Sequence, residues 1–136
     1  MKFVGFNYNK ISAERVSESL EGLKIESSLN VDSIKENPSK NPDKSITFLD
    51  IYFTSTVNYS KNIAKIELKG KVILSVDSKI GKDVKEKWEK KELVEEIKYP
   101  LFNFILTKTG VKALELEDNL NLPPHFRLPQ VAPEKN

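Results

Sequence analysis

Residues 46–57 read ITFLDIYFTSTV, residues 58–62 NYSKN, and residues 63–77 IAKIELKGKVILSVD. The first run is crowded with β-branched and aromatic side chains and holds no Gly or Pro, which predicts an extended strand closing at Val57. The polar NYSKN segment has Asn near both ends and suits a hairpin connection. The second run alternates at period two. Ala64, Ile66, Leu68, Val72, Leu74 and Val76 fall on one side, with Lys65, Glu67, Lys69 and Lys71 on the other. Strands of a parallel sheet covered on both faces read as continuous apolar runs, so this pattern predicts a half-buried antiparallel pair. Gly70 in mid-strand predicts a bulge or bend.

After Asp77 the period changes. KDVKEKWEKKELVEEIK, residues 82–98, is rich in Lys and Glu and sets Val84, Trp88, Val94 and Ile97 near one helical stripe, with a phase slip around Lys91 where the helix is expected to break. Proline disfavours helical geometry in the residue before it and suits the first turn of a helix, so Tyr99-Pro100 predicts a second helix starting at about Pro100. That helix carries Leu101, Phe102, Phe104, Ile105 and Leu106, continues through Val111, Ala113, Leu114 and Leu116, and ends near Asn119. Gly110 sits inside it at a cost of about 1 kcal/mol relative to alanine, which points to a kink or a close helix contact.

The N-terminal third is less distinct. Lys2 to Asn9 alternates as a strand, and Leu23 to Ile34 (LKIESSLNVDSI) gives an imperfect alternation that fits the same sheet. ISAERVSESLEG between them suits either a bent strand with a loop or a short helix capped by Ser12 and ended by Gly22. NPSKNPDK, residues 37–44, is a loop, because two Asn-Pro pairs oppose both helix and ladder pairing.

With 136 residues the chain is expected to form one domain, 1–136, with a core large enough to stand without disulfides or metal and with a flexible tail in its last few residues. The absence of cysteine excludes a thiol nucleophile, a disulfide frame and a cysteine zinc site. No apolar run reaches membrane-spanning length, and MKFVGFNYNK lacks the apolar centre of a signal peptide, so the expectation is a soluble, cytoplasmic protein without membrane insertion. Charge is uneven: residues 1–60 carry −1, residues 61–91 carry +5 and residues 92–136 carry −2. The basic segment 61–91 offers an alternative function, a small nucleic-acid or anionic-partner binding module. Against nucleic acid, all of its basic residues are lysines interleaved with Glu and Asp, whereas only Arg15 and Arg127 in the whole chain can make bidentate guanidinium contacts.

Catalysis has little to stand on. His125 is the single histidine, lodged between Pro124 and Phe126, and reads as a tail-packing residue. Asp32, Asp50 and Asp77 near strand ends read as solvated or turn residues rather than an acid-base pair. No Gly-rich phosphate loop can be assembled from five dispersed glycines. No enzyme activity, catalytic residue, metal or cofactor is expected.

What remains is surplus apolar surface. Ile46, Phe48 and Tyr52 lie on the even face of the first long strand, and Leu49, Ile51, Phe53 and Val57 on the odd face. A sheet covered on one side needs only one greasy face; the other can line a groove, meet a partner protomer, lie beneath a covering segment or simply complete the core. Leu120, Leu122, Pro123, Pro124, Phe126, Leu128 and Pro129 add an extended, Pro-stiffened strip.

The succession TFLDIYFTSTVNYS, IAKIELKGKVILSVDS, a helical half with YPLFNFIL, and a closing LNLPPHFRLPQV resembles the SecB family of protein-export chaperones over residues 45–131. Tyr99, Pro100 and Leu101 match the start of that family's second helix, and Leu122, Pro123, Pro124, Leu128 and Pro129 match its tail. The resemblance implies an α+β fold: a four-stranded antiparallel sheet with two C-terminal helices packed on one side, assembling as a homodimer or homotetramer. It also implies an ATP-independent holdase that takes unfolded client proteins into an apolar groove, since roughly 25 cal/mol per Å² of buried apolar area is available from any greasy segment. The implied client contacts are Phe48, Tyr52, Phe53 and Trp88, with Leu122 and Phe126 from the tail. Export SecB proteins use an acidic sheet face to engage the export motor. Here Lys65, Lys69 and Lys71 stand beside Glu67, which argues against motor docking and for a chaperone of the kind that guards an antitoxin or another unstable client.

Overall fold

The computed structural model describes residues 1–38, 43–60 and 62–133. Four antiparallel strands, β1 (Lys2–Arg15), β2 (Ile25–Asn37), β3 (Ile46–Tyr59) and β4 (Ala64–Asp77), form one sheet in the order β1-β4-β3-β2. Two helices follow, α1 (Ser78–Trp88) and α2 (Glu95–Asn119). The β3–β4 hairpin pairs in unbroken register from Ile46↔Asp77 to Tyr59↔Ala64, so every side chain of the alternating pattern keeps its face. Leu49, Ile51, Phe53, Val57 and Tyr59 of β3, with Ala64, Ile66, Leu68, Val72, Leu74 and Val76 of β4, are buried under the helices. The even face of β3 and the lysine face of β4 form the open side of the sheet.

Gly70 does not bulge β4. Its register with β3 is continuous, and the irregularity lies opposite, in β1 between Tyr8 and Lys10. The glycine is needed for space: a Cβ there would lie 2.5 Å from the Asn7 carbonyl oxygen and 2.8 Å from the Phe53 ring. The Ser12–Gly22 helix does not form. β1 continues to Arg15, and Gly22 (φ 66°) serves the turn that carries the chain from one sheet edge to the other. Of the 37–44 loop, residues 39–42 lie outside the described residues, as do Lys61 and the last three residues of the expected flexible tail.

Asp77 caps α1 by accepting from the Lys79 amide at 2.8 Å. The helix ends where the sequence pattern slips, with Lys91 at φ 59° and the Glu92 amide donating back to the Lys87 carbonyl. α2 starts five residues before Pro100 and runs through it. Ile97 and Leu101, on either side of the proline, lie one helical turn apart and are both buried in the same core, and this packing outweighs the lost backbone bond. The C-terminal end of α2 has no basic residue in its last turn. Arg15 of β1 supplies one from outside, its guanidinium donating to the carbonyls of Leu120 (3.0 Å) and Asn121 (2.9 Å) as well as Ser17 and Glu18.

The core falls into two clusters. One gathers Leu49, Ile51, Phe53, Val72 and Leu74 under Val84, Ile97, Leu101 and Ile105. The other gathers Val57, Tyr59, Ile66 and Leu68 under Ala113 and Leu122. No helix among the described residues is long and apolar enough to cross a membrane.

Candidate functional site

α2 is apolar on more than one face, and each face meets something different. Ile97, Leu101 and Ile105 point into the sheet. Phe104 stacks on Phe3 of β1 with ring centroids 4.2 Å apart. Phe102 and Leu106 face the opposite side, toward β2, where Leu106 is 52% exposed. Between α2 and the β2 edge runs a groove. Its upper part, about 710 Å³, has Leu29, Val31, Trp88, Leu93 and Phe102 as apolar lining. Its charged rim balances Lys87, Lys91 and Lys98 against Asp32, Glu92 and Glu95. Lys91 stands over Trp88, its Nζ 4.9 Å from the ring centroid. The lower part shares Leu29 and continues past Leu106 and Gly110 to Val57, Ala113 and His125. From Phe102 to Ala113 the helix advances about 16 Å, room for roughly five residues of extended polypeptide. Because the groove follows an edge strand, its wall combines apolar side chains with the outer edge of β2, which pairs with no further strand among the described residues.

The residues expected from sequence to touch a client are dispersed by the fold. Trp88 lines the groove. Phe53 (1% exposed) is buried in the core, and Leu122 (6%) packs in the second cluster and lines a separate hollow with Val111, Leu114, Pro124 and Leu128, away from the groove. Phe48 and Tyr52 lie on the open face of the sheet, away from the groove, half-buried among polar neighbours, with Lys35 Nζ 5.7 Å from the Tyr52 ring. Phe126 is exposed in the tail and meets the edge of the His125 ring. Leu29, Val31, Phe102 and Leu106 were not expected. For Phe102 and Leu106 the signal was present as apolar residues on α2 in excess of the single stripe that a sheet-covering helix needs, whereas Leu29 and Val31 belong to β2.

Among the described residues, the lysines of residues 61–91 do not gather into one surface. Lys65, Lys69 and Lys71 stand on the open sheet face, where Glu67 pairs with Lys10 and Lys65, whereas Lys79 to Lys87 belong to α1 on the covered side. The aspartates near strand ends serve local structure: Asp77 caps α1, Asp32 accepts from Thr54, and Asp50 accepts from Asn37. Among the described residues no group of three or more His, Cys, Asp or Glu could hold a metal ion.

One buried polar cluster secures the tail. Glu117, fully buried in α2, accepts from the Tyr59 hydroxyl at 2.5 Å and lies 3.0 Å from Nδ1 of His125 through both carboxyl oxygens. The Tyr59 hydroxyl is also 2.7 Å from the Pro123 carbonyl. Burial, then the adjoining Glu117, pushes the Tyr59 phenol well above its ordinary range. Ionising it costs more in the folded chain than in the unfolded one, so this stabilisation is complete below pH 10 and is lost as pH rises beyond that value. Tyr59→Phe is expected to lower stability by about 1–3 kcal/mol at neutral pH, measured by urea unfolding. The same substitution is expected to flatten the loss of stability seen in the parent chain above pH 10.

No family model and no curated protein matches the sequence. Among solved structures, the fold is similar to the SecB-like chaperone Rv1957 of Mycobacterium tuberculosis, solved in complex with a ChAD peptide from the HigA1 antitoxin. The likeness covers 98% of this chain and 92% of that one, with a TM-score of 0.56 and 12% identity. At that identity the likeness is one of fold: the sheet, its order and its two covering helices make this a SecB-like α+β chain.

Proposed function

We propose that this chain is an ATP-independent holdase that keeps unfolded or unstable polypeptides in solution by binding their apolar segments in the groove between α2 and β2. The observation that carries the reading is the groove itself, two hollows that adjoin at Leu29 along edge strand β2, with an apolar floor of Leu29, Val31, Trp88, Leu93, Phe102 and Leu106 under a charged rim. Such a channel lowers the free energy of any extended greasy segment without demanding a sequence. The structural likeness to a chaperone solved with an antitoxin peptide supports a client of that kind. Trp88 belongs to the client contacts, joined by Leu29, Val31, Phe102 and Leu106, and the exposed Phe126, next to His125 in the tail, is assigned to them as well.

The reading extends to a homodimer or homotetramer, which would multiply grooves and raise avidity. Exposed Val4 and Ile11 on the β1 edge are suited to protomer contact. It assigns the chain no catalytic role and places it in the cytoplasm. It gives the open sheet face, with Lys65, Lys69 and Lys71, no part in docking an export motor. In an aggregation assay with a thermally unfolding reporter enzyme and no ATP, the chain is expected to suppress light scattering equally at low and high salt. Suppression that collapses with salt would instead favour an anionic-partner module built on the lysines of residues 61–91.

A further inference from the structure

The Leu122 amide donates to the Glu117 carbonyl at 2.8 Å, and beyond it no backbone hydrogen bond holds the tail among the described residues. Pro123 and Pro124 have no amide to give. Pro124 and Leu128 line a shallow hollow with Val111 and Leu114, and the polar hold on the segment is concentrated at one buried point, the cluster of Tyr59, Glu117 and His125. Hydrogens at that point do not add up for an ionised carboxylate. The Tyr59 hydroxyl owns one hydrogen and has two oxygens in reach, Glu117 Oε2 at 2.5 Å and the Pro123 carbonyl at 2.7 Å. The carbonyl can only accept. Once Tyr59 donates to it, the contact with Glu117 needs a hydrogen from the carboxyl side. A carboxylic acid supplies it: Glu117 donates to Tyr59, Tyr59 donates to Pro123, and the Nδ1–H of His125 donates to the other carboxyl oxygen 3.0 Å away. Without that proton Tyr59 turns back to the carboxylate, and the Pro123 carbonyl is left against an oxygen lone pair.

The charged groups on the surrounding elements are engaged elsewhere or stand apart. Arg15 of β1 is spent on the Leu120 and Asn121 carbonyls, Glu14 and Lys65 lie on the far side of Tyr59, and Glu115 and Asp118 sit on α2 at the rim of the hollow. Among the described residues, His125 is the only cation-forming group in contact with the Glu117 carboxyl.

We propose that the segment Leu122–Leu128 is a strap that closes by taking up one proton, and that Glu117 holds that proton. The proposal does not rest on the groove being the polypeptide site, although the two communicate: His125 lines the lower hollow of the groove, and release of the strap withdraws it. The closed strap holds a proton that the open strap gives up to solvent, so closure is complete on the acid side and is lost as pH rises.

His125 is the single histidine, so its ring signals are unambiguous in NMR spectra of the full chain. These and the methyl signals of Leu128 are followed from about pH 5 to about pH 9, with Ile51 in the other core cluster as a fixed reference. Leu128 is expected to leave its closed position as pH rises, the ratio of closed to open strap falling about tenfold for each pH unit, the slope of a single proton. His125→Gln keeps an N–H for Glu117 and cannot titrate; it is expected to retain that slope. Glu117→Gln has no proton to give up and is expected to keep Leu128 closed throughout. Tyr59→Phe, which removes the relay and leaves Glu117 in place, is expected to open the strap at every pH. A Leu128 signal that never moves in the parent chain overturns the strap. A slope lost in His125→Gln puts the proton on the histidine and overturns the part given to Glu117. A parent-like slope in Tyr59→Phe, or in Glu117→Gln folded by circular dichroism, overturns the proposal as well.

Discussion

Replacing Gly70 with alanine is expected to cost the fold about 3 kcal/mol or more, measured by urea unfolding, with loss of β-sheet signal at ordinary temperature. Most glycine-to-alanine changes in a strand are mild, and here the neighbours make the difference. The new methyl would sit 2.5 Å from the Asn7 carbonyl oxygen, which belongs to the adjacent backbone and moves only if the β1–β4 pairing moves. On its other side the Phe53 ring, 1% exposed in the core, blocks retreat at 2.8 Å. Gly5→Ala is the control. Its methyl would meet the flexible end of Ile73 at 3.0 Å, which turns aside, and the expected loss is under about 1 kcal/mol. Equal stability for the two variants would mean that β1 does not lie across Gly70 as described.

The second large effect concerns client capture. Phe102 and Leu106 line the groove and belong to neither core cluster, so Phe102→Ser with Leu106→Ser is expected to leave the chain folded apart from a small loss of helix propensity. Each side chain that becomes fully buried on a client contributes about 1.5–3 kcal/mol. Losing both is expected to weaken binding of an unfolded polypeptide by roughly 3 kcal/mol, about a hundredfold in Kd. Phe48→Ser with Tyr52→Ser, on the open face of the sheet, is expected to change the same affinity less than about threefold, a few tenths of a kcal/mol. Fluorescence anisotropy of a labelled, permanently unfolded polypeptide measures both.

The hairpin and its two faces were legible because period two in IAKIELKGKVILSVD maps directly onto buried and open sides. The break at Lys91 was legible as a phase slip. The start of α2 was not, because a proline signal is local whereas the packing of Ile97 and Leu101 that carries the helix through Pro100 is tertiary. The extent of β1 escaped for a similar reason: SAER has no strand signature of its own and is held by pairing with Glu67 to Ala64. Of the proposed site, Trp88 was named from its type and position, and it lines the groove. Phe53 and Phe48, adjacent-face aromatics of one strand, could be told apart only by knowing which face the helices cover. Leu29 and Leu106 come together across more than seventy residues of chain, and no spacing within either segment reveals the groove they share.

Methyl NMR of the isoleucine, leucine and valine side chains, titrated with an unfolded polypeptide, addresses the groove most directly. The resonances of Leu29, Val31 and Leu106 are expected to shift or broaden with added polypeptide, while Ile73 on the open sheet face stays in place. Shifts confined to Ile73 and its neighbours, with the groove methyls unmoved, would contradict the assignment of polypeptide binding to the channel between α2 and β2.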